Sequence, residues 1–146
     1  MKVPNDALVL VADGKKALFL RNEGDEEFPN LELERKSETA DLADRDQKTD
    51  APGRAHDSTS SGRSAYEETD FHQLEEDRFA AGLTELLKER ALKNEFHALI
   101  VVAPARALGE LRKHYHKEVE KRLIGELSKD LTGHPVSEIE KILQAE

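Results

Sequence analysis

Asp13 is the residue best placed to do chemistry. It follows Ala7-Leu8-Val9-Leu10-Val11-Ala12, an uninterrupted apolar run. Such a run fits a strand buried on both faces, so Asp13 stands at a strand end. A carboxylate there can hold a divalent cation for two-metal hydrolysis of a phosphoester, if other acids stand beside it. The sequence sets no second acid there; the remaining candidates fall on a polar segment or on helix surfaces. The plainer reading is that Asp13-Gly14 closes a hairpin, a dipeptide whose positions tolerate positive φ.

The six His residues make no ligand set. His114 and His116 are two apart and point in different directions on a helix. His72 and Glu75 share a helical face without a third ligand, His56 lies in the polar segment, and His134 precedes a proline. Neither a metal nor another cofactor is expected, because no ligand spacing fits one. The absence of Cys excludes disulfides, thiol nucleophiles and thiolate metal sites. There is no phosphate-cradling glycine loop and no Gly-x-Ser-x-Gly elbow.

Binding chemistry is better represented. Arg54, His56, Arg63 and Tyr66 punctuate a stretch of Ser, Thr and Gly. Arg and aromatic side chains on a flexible loop can clamp RNA or a protein groove; they can equally keep a linker soluble. Arg106, Arg112, Lys113, Lys117, Lys121 and Arg122 form the most basic part of the chain. On one continuous helix Lys113 and Lys117 would lie opposite Leu111 and Tyr115. That arrangement reads first as a solvated outer face, and second as a contact for an acidic partner or RNA phosphate.

The elements that must position these residues are legible in outline. Ala17-Leu18-Phe19-Leu20 returns from the hairpin, and Leu31-Glu32-Leu33-Glu34-Arg35 alternates as a half-exposed strand near a sheet edge does. Residues 36–70 offer almost nothing to bury and are expected to form a long mobile polar insertion. Asp70 and Gln73 resemble a capping box opening a long helix, with Phe79, Leu83, Leu86 and Leu87 as its buried stripe and Asn94 near its end. Ala98-Leu99-Ile100-Val101-Val102-Ala103 is a second buried strand. Pro104 then suits the first position of another helix, with Leu108, Leu111 and Tyr115 as its stripe. Val119 to Leu131 fits helix by its four-residue spacing and strand by Leu123-Ile124-Gly125-Glu126-Leu127; strand is favoured. Pro135 to Leu143 makes a terminal helix.

The result is a single α/β domain, 1–146, with a mixed sheet and the order βββαβαβα. That order matches the ribonuclease H-like topology. The chain has 146 residues and a net charge of −9, with ten basic against seventeen acidic residues in 1–70 and twelve against fourteen in 71–146. So acidic a chain is not a general DNA or RNA binder. No signal peptide and no run of membrane-span length is present, and a cytoplasmic protein is expected. The oligomeric state is left open.

Several pieces, taken in order, resemble a family of small bacterial proteins described as required for attachment to host cells. They are Val11-Ala12-Asp13-Gly14, Gly62-Arg63-Ser64-Ala65-Tyr66, the stretch from His72 to Phe79, Val102-Ala103-Pro104 with Leu108-Gly109-Glu110-Leu111-Arg112, and Lys129-Asp130-Leu131-Thr132. That family is distantly similar to the middle domain of archaeal and eukaryotic peptide-chain release factors. In those factors a loop before the long helix carries Gly-Gly-Gln, which acts at the peptidyl-transferase centre. Here the matching stretch is Ser61-Gly62-Arg63-Ser64-Ala65, without the paired glycines or the glutamine. The resemblance implies a non-catalytic binding domain with a ribosomal, RNA or protein partner, affecting attachment from inside the cell. Its binding residues would be Arg54, His56, Arg63, Tyr66, His72, Arg112, Lys113 and Lys117. The alternative is a metal-dependent nuclease or phosphoesterase using Asp13, which the ribonuclease H-like order suggests.

Overall fold

The computed structural model describes residues 1–38 and 65–146, with side chains from residue 71 onward in the second stretch. The described strands are β1 (Leu8–Ala12), β2 (Lys16–Asn22), β3 (Leu31–Glu38), β4 (Leu99–Ala103) and β5 (Leu123–Ser128). The described helices are α1 (Ala65–Leu92), α2 (Ala105–His114), α3 (Lys117–Arg122) and α4 (Val136–Ala145). The strands form one mixed sheet in the order β3-β2-β1-β4-β5. β1, β2 and β3 pair antiparallel, while β1, β4 and β5 run parallel. The topology is compatible with the ribonuclease H-like arrangement.

The two apolar runs pair directly, Leu8 with Leu99 through Val11 with Val102. Alternation along a strand sends successive side chains to opposite faces. Leu8, Leu10, Ala12, Leu99, Val101 and Ala103 therefore join Phe79, Leu83, Leu87, Leu108, Leu111 and Val119 in one core under α1, α2 and α3. Val9, Val11, Ile100 and Val102 join Leu127, Leu131, Ile139 and Leu143 in a second core under α4. Burial on both faces is why neither run shows polar alternation.

Four expectations need correction. α1 includes Ala65 onward, so Asp70 lies inside the helix and is no cap; the Gln73 amide instead donates to Asp77 Oδ1 one turn on, at 2.8 Å. The segment 36–70 is shorter than expected at both ends, since residues 36–38 complete β3 and residues 65–70 open α1, while 39–64 lie outside the described residues. The helix from Ala105 does not run on through Lys117. It stops at His114, Tyr115 takes an extended conformation, and His116 caps α3 by accepting the Glu118 N–H on Nδ1 at 3.0 Å. Pro104 sits one position before α2, its carbonyl accepting from Leu108 N–H at 2.8 Å.

The region 119–131 combines both readings, helical to Arg122 and strand from Leu123. The element order is accordingly βββαβααβα. α1 ends as expected near Asn94, which has φ 57°. Its N–H bonds Ala91 C=O and the Glu95 N–H bonds Arg90 C=O, both at 2.9 Å. That is a Schellman closure, with Asn where glycine is commonest.

Candidate functional site

The parallel strands β1 and β4 and the end of β5 deliver their carboxyl ends to one side of the sheet, where a crevice of about 360 Å³ opens. Ligands favour that end of a parallel sheet, where strand order reverses direction. The β1–β2 turn supplies Asp13, Gly14 and Lys15. One stripe of α1 supplies Gln73, Glu76, Ala80 and Leu83, and the start of α2 supplies Arg106, Ala107, Glu110 and Leu111. Pro104 and Asp130 complete the wall.

Asp13 works here as a turn cap. Its Oδ1 accepts the N–H groups of Lys15 and Lys16, each at 2.7 Å, and its Oδ2 accepts the Thr132 hydroxyl at 3.0 Å. The hairpin predicted at Asp13-Gly14 therefore forms, but through the carboxylate, with neither residue at positive φ. The Glu76 side chain packs against Gly14: a Cβ there would stand 2.8 Å from Glu76 Oε1, and the carboxylate end would have to swing aside. No group of three His, Cys, Asp or Glu side chains suited to a metal ion occurs among the described residues. The nuclease alternative on Asp13 draws no support from this geometry, because both carboxylate oxygens are already engaged.

The rest of the crevice divides into an apolar floor and a polar rim. Ala80, Leu83 and Leu111 are buried below the rim acids. Glu110 pairs with Lys113 at 2.8 Å, and Asp130 Oδ1 lies 2.8 Å from the Thr132 hydroxyl, whose single proton it shares with Asp13 Oδ2. Gln73 Oε1 is buried without a hydrogen-bond partner among the described residues.

The expected basic face is largely neutralised by its own surroundings. Arg112 forks onto Glu126 at 2.8–3.3 Å, and Lys121 and Arg122 share Glu118 at 3.0 Å. Hydrogen bonding to Glu126 and Glu110 holds the Arg112 and Lys113 pKa values above their ordinary range. Lys117, the first residue of α3, is exposed and has no ion pair among the described residues. His72 is exposed on α1, its ring 6.1 Å edge-on from that of Phe71. Tyr66 belongs to the first turns of α1. Arg54, His56 and Arg63 lie outside the described residues. The structure thus brings Arg112 and Lys113 close to the crevice-lining helix, and leaves Lys117 beyond the break at Tyr115.

Sequence reasoning missed Glu76 and Glu110, and it placed Gln73 in a capping box and Arg106 in the basic stretch without joining them to a crevice. The spacing Gln73, Glu76, Ala80, Leu83 is one helical face. It turns from polar to apolar along its length, so it looks like a solvated surface until the hairpin is laid against it.

Fold and crevice define a mixed-sheet α/β domain in which the Asp13 carboxylate caps the β1–β2 turn. The family model for bacterial archaeo-eukaryotic release factor family 12 matches residues 6–143, and the chain belongs to that family. The match runs from before β1 into α4, so the release-factor likeness reaches every described element. No curated protein matches the chain. Among the described residues no helix is long and apolar enough to cross a membrane.

Proposed function

We propose that this protein is a non-catalytic, cytoplasmic, translation-associated domain that docks on the ribosome through RNA phosphate. The observation that carries the reading is membership of a release-factor-like family over residues 6–143. It is joined by the lack of Gly-Gly-Gln in the stretch 61–65 that leads into α1. A release factor without its reacting loop retains a rigid scaffold and a docking role.

The docking groups in this reading are Arg54, His56, Arg63 and Tyr66, together with His72 on the outer side of α1 and Lys117 on α3. Phe71 and Leu74 are 44% and 48% exposed beside His72, offering apolar contact area next to the polar groups. Arg112 and Lys113 contribute less, because Glu126 and Glu110 already hold them. An influence on host-cell attachment, as the sequence resemblance implies, would be indirect and would run through translation.

Co-sedimentation with purified bacterial ribosomes through a sucrose cushion tests the reading. The wild-type chain should pellet at low salt and be released as salt rises, since phosphate contacts are salt-dependent. The Arg54→Ala/Arg63→Ala variant should stay in the supernatant. A wild-type chain that fails to pellet at low salt refutes the proposal, and capture by a protein partner in the absence of ribosomes would replace it.

A further inference from the structure

The crevice has a chemical preference that the release-factor reading does not use. We propose that it binds an alkylammonium group, a primary amine carried on a short apolar stem. Three observations converge on that chemistry.

The first is an unmet acceptor. Gln73 places its amide nitrogen on Asp77 Oδ1 at 2.8 Å, which leaves Oε1 buried in the crevice wall with no donor among the described residues. Buried acceptors are normally satisfied, and an ammonium brings three donors and no acceptor of its own. The second is charge. Among the described residues, Asp13, Glu76, Glu110 and Asp130 line the cavity with Lys15 and Arg106, and Lys113 holds Glu110 from outside it. Glu76 has no ion pair among the described residues, and it rests against the open Cα of Gly14. Such a rim attracts a cation and repels phosphate or carboxylate. The third is shape. A cavity of about 360 Å³ floored by Ala80, Leu83 and Leu111 takes methylenes, which a bare metal ion would leave uncovered. The absence of a three-ligand cluster among the described residues points away from a metal in the same place.

Two sources can present this group, a free aliphatic diamine and a lysine side chain of a peptide. The test is a heteronuclear NMR titration of the intact chain with 1,5-diaminopentane in one arm and Nα-acetyl-lysine N-methylamide in the other. Pentanoate serves as the anionic control. Either amine should shift the amides of Gly14, Glu76 and Ala107 in a saturable way, and the tighter arm names the source. Glu76→Gln should weaken binding about tenfold, and Ala107→Leu, which fills the cavity from its α2 side, should abolish it. Glu120→Gln, an exposed acid on α3, should change nothing. Two unshifted arms, equal binding of pentanoate, or shifts spread over the whole acidic surface and unaltered in Glu76→Gln would each overturn the proposal. No ribosome enters the assay, so its outcome is separate from that of the docking reading.

Discussion

Asp13 separates a structural role from a catalytic one by the sign of a stability change. In the structure its carboxylate accepts two backbone N–H groups at 2.7 Å and the Thr132 hydroxyl at 3.0 Å. At about 1 kcal/mol net for each hydrogen bond, less where water can replace the partner, Asp13→Ala should cost about 2–3 kcal/mol. Asn retains one oxygen for the two N–H groups, so Asp13→Asn should cost only about 1 kcal/mol. For a chain of this size those losses correspond to falls in Tm of roughly 4–10 °C and 2–4 °C. Urea denaturation followed by circular dichroism gives the free energies. A double-mutant cycle with Thr132→Val should return a coupling of about 0.5–1 kcal/mol for the contact that ties the hairpin to the loop after β5. An Asp13→Ala protein as stable as wild type, or more stable, would refute the turn-cap assignment. It would point instead to a carboxylate held for chemistry at the expense of folding.

Three further outcomes follow from buried or paired groups. Asn22 is fully buried, donates to the carbonyls of Val3, Pro4 and Asp25, and accepts the N–H groups of Gly24 and Asn30. Asn22→Ala should therefore lower stability by about 2–4 kcal/mol in urea unfolding, and a loss below about 1 kcal/mol would contradict this network. Burial first and the Glu126 charge second push the Tyr115 hydroxyl pKa up, and that hydroxyl has no hydrogen-bond partner among the described residues. Tyr115→Phe should accordingly leave the urea midpoint unchanged or raise it, and a clear fall would show an overlooked partner. Burial raises the Glu34 pKa, but hydrogen bonds from Arg90 and Arg21 outweigh it and bring the carboxyl below its ordinary value of 4.5. A depressed acid stabilises fully above its unfolded pKa and loses that contribution as pH falls through the folded one. The stability gap between wild type and Glu34→Gln should thus be constant near neutrality and shrink below pH 4.5, as urea midpoints across that range would show.

The parts of the fold written most clearly were those whose burial is complete. β1 and β4 are covered on both faces, so every residue had to be apolar, and the twin runs announced both strands and their adjacency. The hairpin was legible by composition, although the working group is the Asp13 carboxylate and not a positive φ. The start of α1 was misread because Asp70 and Gln73 imitate a capping box. Among the described side chains of α1 the first buried one is Phe79, and Phe71 and Leu74 before it are exposed, so these turns carry no buried stripe to mark them. The break at Tyr115 was hidden by the four-residue spacing of Leu111, Tyr115, Val119 and Leu123, which a continuous helix would also show. His116 makes the break by capping α3 with a ring nitrogen, a use that no local pattern signals. The crevice was the least legible feature. Its walls come from four separate stretches of chain, and Glu76 packs beside Gly14, sixty-two residues earlier.

The account stands on ribosome docking without peptide release, and one experiment addresses both halves. Ribosomes carrying a labelled peptidyl-tRNA are incubated with the intact chain at low salt and sedimented, and protein and label are followed in the same pellet. The chain should travel with the ribosomes while the peptide stays attached to its tRNA. Release of the label would contradict the non-catalytic assignment, and a chain left in the supernatant would contradict the docking itself.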